Sequence, residues 1–134
     1  MPVKLETQSI RTIAAFEKLT EVHAKDCLIT EDCIYFIVDP ENVGLVIGKN
    51  GAVIKELRRV FGKMVKILGY YDNPEAFVKN TFPTAKSIEV NGGGITVTLP
   101  DEDKIAAIGK SGRNIKAIRE ILSRHFAVKN LRVK

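Results

Sequence analysis

The sequence predicts an α+β protein of two tandem units, residues 1–70 and 71–134, each running α-β-β-α-α-β. Three observations predict it: a self-match at a spacing of 61 residues, a charge sign that alternates twice, and one order of helical and strand-like segments read twice. The length of 134 residues allows one ordinary domain or two very small ones. Hydrophobic residues make up 45% and charged residues 28%, the composition of a folded globular chain.

The self-match centres on one short segment. Ile47-Gly48-Lys49-x-Gly51 matches Ile108-Gly109-Lys110-x-Gly112, Ile54-Lys55 matches Ile115-Lys116, and Arg58 matches Arg119. Further upstream, Ala24-Lys25 matches Ala85-Lys86. A unit near 60 residues has a marginal core when alone, so the two units are expected to pack together into one rigid surface. Charge follows the same division. Residues 1–39 hold 4 basic and 7 acidic side chains, residues 40–71 hold 6 and 2, residues 72–103 hold 2 and 6, and residues 104–134 hold 9 and 1. Each unit thus places an acidic block before a basic one, and a net charge of +5 suits a polyanionic partner.

The elements follow in order. Residues 7–20 read as a helix with Thr7 as N-cap and Ile10, Ile13, Ala14 and Leu19 as its apolar positions. Residues 24–29 and 33–38 are β-rich and joined by Thr30-Glu31-Asp32, a hairpin. Asp39-Pro40-Glu41 is a helix start with cap, proline and early acid, and the helix runs to about Ile47. After Gly48-Lys49-Asn50-Gly51 a second helix covers 52–61, with Val53, Ile54, Leu57, Val60 and Phe61 on one face and Gly62 ending it. A strand over Met64–Leu68 closes the unit. The second unit starts with a capped helix from Asn73-Pro74-Glu75 to about Asn80. Strands at 86–90 and 95–99 flank the turn Asn91-Gly92-Gly93-Gly94. An acid-led helix from Asp101 to Ile108, the turn Gly109-Lys110-Ser111-Gly112, and a longer helix carrying Ile115, Ile118, Leu122 and Phe126 follow. A strand over Val128–Val133 ends the pattern.

Several function classes are disfavoured. No uncharged run approaches the ~18 residues that span a bilayer, and Met1–Glu6 has no apolar leader core, so a cytoplasmic protein without membrane association is expected. Two cysteines, Cys27 and Cys33, on neighbouring strands read as small core residues rather than a disulfide or metal pair. His23 and His125 have no ligand cluster around them, so neither metal nor cofactor is expected. Gly109-Lys110-Ser111 carries the tail of a Walker A motif, but the glycine required five positions earlier is Lys104. In the first unit Asn50 stands where that motif needs Ser or Thr. No catalytic role is expected.

The glycine turns have a physical use of their own. Two glycines permit positive φ and remove Cβ atoms that would hold a ligand away, and the turn opens a helix whose first N–H groups favour an anion. Lys49 and Lys110 add charge to each turn. One such tetrapeptide is weak evidence; two, each after Ile and each with Lys second, are strong. Val46-Ile47-Gly48-Lys49-Asn50-Gly51 and Ala107-Ile108-Gly109-Lys110-Ser111-Gly112 resemble the GxxG loops of KH domains. The element order resembles the type II form, which implies a three-stranded mixed sheet with helices on one face in each unit. Two such units with a short join resemble the archaeal NusA-like transcription factors.

That resemblance implies binding of single-stranded RNA, with Gly48, Lys49, Asn50 and Gly51, and Gly109, Lys110, Ser111 and Gly112, on the backbone. Val43, Val46, Ile47, Val53 and Ile54 would wall the first groove, and Ile105, Ile108 and Ile115 the second. Lys55, Arg58 and Arg59, with Arg113, Lys116 and Arg119, would extend the phosphate path. Gly44 stands where the second unit has Ile105, so the two grooves are expected to differ. The expected role is transcription termination or elongation control by a monomer, with single-stranded RNA as partner and either RNA polymerase or the ribosome as the protein assembly it meets. The alternatives are a ribosome-associated or RNA-processing role, or a protein–protein adaptor using the apolar grooves.

Overall fold

The computed structural model describes residues 7–134. Residues 1–6, on which the leader reading rests, lie outside the described residues, as does the position preceding Thr7. The chain divides into two compact units, with Tyr70 closing the first and Tyr71 opening the second.

In the first unit α1 spans Thr7–Thr20, β1 Ala24–Ile29 and β2 Cys33–Val38. A 3₁₀ turn at Pro40–Asn42 leads into α2, Val43–Ile47; α3 is Ala52–Phe61 and β3 is Met64–Gly69. The sheet order is β1-β2-β3, with β1 antiparallel and β3 parallel to the central β2, a mixed sheet. A bulge at Lys25 shifts the β1 register between Ala24, opposite Val38, and Asp26, opposite Ile37. There the buried Asp26 carboxylate accepts the Cys27 N–H at 2.8 Å.

The core lies where α1 and α3 cover the sheet. Phe16, Cys27, Ile34, Phe36, Leu57 and Val65 are buried together there. The face that α1 turns inward differs from the expected one: Ile13 and Phe16 are buried, while Ile10, Ala14 and Leu19 are exposed. Stacking of Phe16 on Phe36, centroids 4.2 Å apart, sets the rotation of the helix. Thr7 lies within α1 rather than capping it. Asp39 makes no side-chain cap bond; its carboxylate lies 3.5 Å from the Lys25 ammonium. On α3 only Leu57 is buried and Val60 is exposed, because Val53, Ile54 and Phe61 pack around the edge of the core. Gly62 ends α3 in the left-handed region, as expected. Cys27 sits opposite Phe36 on the helix-covered face, whereas Cys33 has the opposite parity on β2, so the two thiols point to different faces and form no disulfide.

The second unit repeats the order: α4 Pro74–Thr81, β4 Ser87–Asn91, β5 Gly94–Thr98, α5 Asp101–Ile108, α6 Arg113–Phe126 and β6 Asn130–Val133. Its sheet is β4-β5-β6, again antiparallel then parallel. The Asn73 side chain caps α4, accepting from the Ala76 N–H at 2.8 Å. The hairpin is tighter than expected, because Gly94 pairs with Asn91 and leaves only Gly92 and Gly93 in the turn. β6 starts two residues later than expected, after Val128 and Lys129. Two further correspondences extend the 61-residue spacing. Thr20 and Thr81 each donate to a carbonyl four residues back, that of Phe16 or Phe77, at 2.8 Å. Among the described residues no helix is long and apolar enough to cross a membrane.

Candidate nucleic-acid interface

Each GxxG turn joins a short helix to a longer one, and the two turns have the same backbone. Gly48 has φ 78, ψ 170 and Gly109 has φ 79, ψ 171. Asn50 (φ 56, ψ 26) matches Ser111 (φ 55, ψ 27), and Gly51 (φ 74, ψ 17) matches Gly112 (φ 73, ψ 14). Three of the four residues in each turn are therefore left-handed or beyond, a conformation that only glycine adopts freely.

The first and second glycines do different work. A Cβ on Gly48 would lie 2.5 Å from Val53 Cγ2 and 2.9 Å from its main-chain nitrogen. One on Gly109 would meet the Asn114 nitrogen and Cβ at 2.8 Å. The first glycine thus clears room for the following helix rather than for a ligand. A Cβ on Gly51 or Gly112 would meet nothing closer than 3.7 or 3.8 Å, so at the second glycine the positive φ is the constraint.

The amides are partly spent inside the turn. Gly51 donates to the Gly48 carbonyl and Gly112 to that of Gly109, each at 3.1 Å, and Gly48 and Gly109 donate back to residues 44 and 105 at 2.9 Å. The first N–H groups of the helices that follow, those of Ala52 and Arg113, donate to the Lys49 and Lys110 carbonyls. No side chain caps α3 or α6. The N-terminus of the following helix, with its dipole, is what each turn presents.

Cations surround both turns in the same places. Lys49 and Lys110 are exposed within them. The Lys55 and Lys116 stems run past the second glycine, with Cε 3.9 and 3.8 Å from where a Cβ would stand on Gly51 or Gly112. Among the described residues none of these four lysines forms an ion pair. Arg113 is the first residue of α6.

Other expected phosphate ligands are placed elsewhere. Arg58 donates to the Val65 carbonyl at 3.4 Å and Arg119 to the Leu131 carbonyl at 2.9 Å, each tying its helix to an edge strand. Their Nε atoms are buried. Arg59 is held by Glu56, Nε to Oε2 at 3.0 Å, and this bond keeps the Glu56 carboxyl below the usual range. The pair cancels much of the charge that Arg59 would offer, and Glu120 stands at the matching place in the second unit.

Of the expected groove walls, Ile47 and Ile108 are 37% and 38% exposed, while Val43, Val53, Ile54 and Ile115 are partly buried. Val46 is a correction: it is 0% exposed and belongs to the core, supporting the wall from beneath. Ile105 is 85% exposed, whereas a Cβ on Gly44 would have open space around it, so the two walls differ in relief. Sequence reasoning missed Asn114, which stands at the Val53 position and donates from Nδ2 to the Ala107 carbonyl at 2.8 Å. Its signal was a carboxamide where the other copy has an apolar residue. Among the described residues no three His, Cys, Asp or Glu side chains converge on a metal-sized site.

Comparison with known proteins agrees with this architecture. Residues 10–72 match the KH domain family model and residues 74–133 the NusA-like second KH domain model. The chain is 31% identical to a probable transcription termination protein NusA of Methanocaldococcus jannaschii, over 98% of this chain and 75% of that one. It is 30% identical to one of the same name from Halobacterium salinarum, over 99% of both. The crystal structure of APE1850 superposes with a TM-score of 0.78 at 32% identity, covering 97% of this chain and 100% of that one. With tandem KH domains and relatives aligned over nearly its whole length, the chain belongs to the archaeal NusA-like family.

Proposed function

We propose that this chain binds single-stranded RNA, gripping the sugar–phosphate backbone at both GxxG turns with bases held against the adjoining apolar walls, in control of transcription termination or elongation. The observation that carries the reading is the identity of the two turns. Six backbone dihedrals agree within 3° between units that differ in most side chains, and each turn keeps a lysine inside it and another along its second glycine. Such a turn offers a helix N-terminus with its dipole and two ammonium groups to an anion. The relatives are named as probable transcription termination proteins, which supports the process and makes RNA polymerase the partner to test.

The test replaces charge without breaking the turn. Asp tolerates the left-handed conformation of Asn50 and Ser111. In Lys49→Asp/Asn50→Asp/Lys110→Asp/Ser111→Asp the circular dichroism spectrum and melting midpoint should stay near the parent's while RNA binding is lost. For the parent, log affinity should fall with log salt by ~0.7 for each phosphate neutralised. Retained affinity in a folded quadruple variant would refute the site.

A further inference from the structure

The second sheet has a face that the GxxG turns do not use. Register puts Glu89 and Asn91 of β4 beside Thr96 and Gly94 of β5, and those beside Arg132 and Asn130 of β6. The other face carries Ile95, Val97 and Leu131, all buried. In the first unit the positions matching Gly94, Thr96 and Thr98 are Cys33, Tyr35 and Ile37, which are buried. The topology therefore does not require polar residues here; this sequence supplies them in one unit only.

At the hairpin end of that face lies a cleft of about 360 Å³, lined by Asn91, Gly93, Thr96, Lys129, Asn130 and Arg132. Its floor is fixed, because the Lys129 N–H donates to the Gly93 carbonyl at 2.7 Å. The lining holds two cations, two carboxamides and a hydroxyl, and no carboxylate. Lys129 and Arg132 are exposed, and among the described residues neither forms an ion pair. Lys134, with the parity of Arg132, adds a third cation against the one acid of these strands on this face, Glu89. Ile95 also borders the cleft, but its side chain is buried on the opposite face. The cleft thus offers charge and hydrogen-bond donors and no exposed apolar side chain, which fits a sugar–phosphate better than an apolar peptide.

We infer that this cleft is a second backbone site for single-stranded RNA, separate from the GxxG turn of the same unit. The inference rests on the RNA-binding reading. Arg132 and Lys129 take the phosphate, and Asn91, Asn130 and Thr96 supply donors and acceptors for a phosphate oxygen or a 2′-hydroxyl.

The experiment is a salt titration of binding to a long unstructured RNA, with the full chain carrying Lys129→Glu/Arg132→Glu. The control, Lys18→Glu/Lys79→Glu, makes the same charge change at two exposed helix positions. The cleft variant should lose roughly fivefold or more in affinity, and its log–log salt slope should become shallower by ~0.7–1.4, one to two phosphates. The control should keep the parent slope. Lys129→Ala/Arg132→Ala, which imposes no repulsion, should shift the slope in the same direction. Equal behaviour of cleft and control variants overturns the inference, and an unchanged slope in the alanine variant does so too. If the loop variant abolishes binding while cleft variants match the parent, the cleft alone is wrong. If the parent binds no RNA, both readings fall.

Discussion

The guanidinium of Arg119 donates to the main-chain carbonyl of Leu131 at 2.9 Å, fastening α6 to the edge strand β6. Arg58 makes the same bond to Val65 of edge strand β3. The partners stand twelve residues apart in one unit and seven in the other, because α6 has 14 residues and α3 has 10, and because three residues rather than two separate α6 from its strand. The bond persists across that insertion, which marks it as part of the fold. Arg119→Ala should therefore cost about 1–2 kcal/mol in urea denaturation, from a lost charged hydrogen bond and lost packing of the stem. Its RNA salt slope should match the parent's; a slope shallower by ~0.7 would return Arg119 to the phosphate path.

The two glycines of each turn should separate by energy. At Gly48 and Gly109 a methyl group meets the main-chain nitrogen of Val53 at 2.9 Å or of Asn114 at 2.8 Å, and these backbone atoms cannot yield without moving the helix start. Gly48→Ala and Gly109→Ala should each cost about 2–4 kcal/mol, combining overpacking with left-handed strain. Gly51→Ala and Gly112→Ala meet only ordinary contacts and should cost about 1–2 kcal/mol from φ alone. Denaturant midpoints for the four variants would show the order, and equal costs would contradict it.

How much of this was legible in the sequence varies with the range of the signal. The GxxG turns and the order of elements were readable because glycine, proline and cap residues act locally, as Asn73 on α4 shows. The rotation of α1 was not: Ile10 and Ile13 look alike in sequence, and the ring of Phe36, twenty residues beyond Phe16, decides between them. The strand contacts of Arg58 and Arg119 were hidden for a related reason. A basic residue on a helix after a basic loop reads as a ligand, and only the parallel return of β3 and β6 places carbonyls within reach. Val46 reads as a groove wall because α2 has too few residues, five, to reveal its buried face by periodicity.

The helix ends hold a further asymmetry. Gly62 closes α3 at φ 67, whereas Ala127 closes α6 at φ 55 with a Cβ to accommodate. Ala127 is exposed, so no packing depends on its methyl group. Ala127→Gly should stabilise the chain by up to about 1 kcal/mol, and Gly62→Ala should destabilise it by a similar amount. Thermal melts of both variants would check the pair, which should move in opposite directions.

Alkaline pH should weaken the fold through β2. Burial pushes the Cys33 thiol above its ordinary value of 9.0, opposed by the nearby Lys66 ammonium. Burial, aided by Cys33, pushes the Tyr35 phenol well above 10.0. Both groups hold their protons more tightly when folded than when unfolded, so above the unfolded thiol's value the unfolded chain releases protons that the folded chain retains. Their contribution is complete below about pH 9 and declines as pH rises through the folded values. Urea midpoints should be level up to about pH 9 and fall beyond it. Tyr35→Phe/Cys33→Ala removes both titrations, so its midpoint should fall less steeply over the same range even if it starts lower. Parallel declines in the two proteins would assign the alkaline loss to other groups.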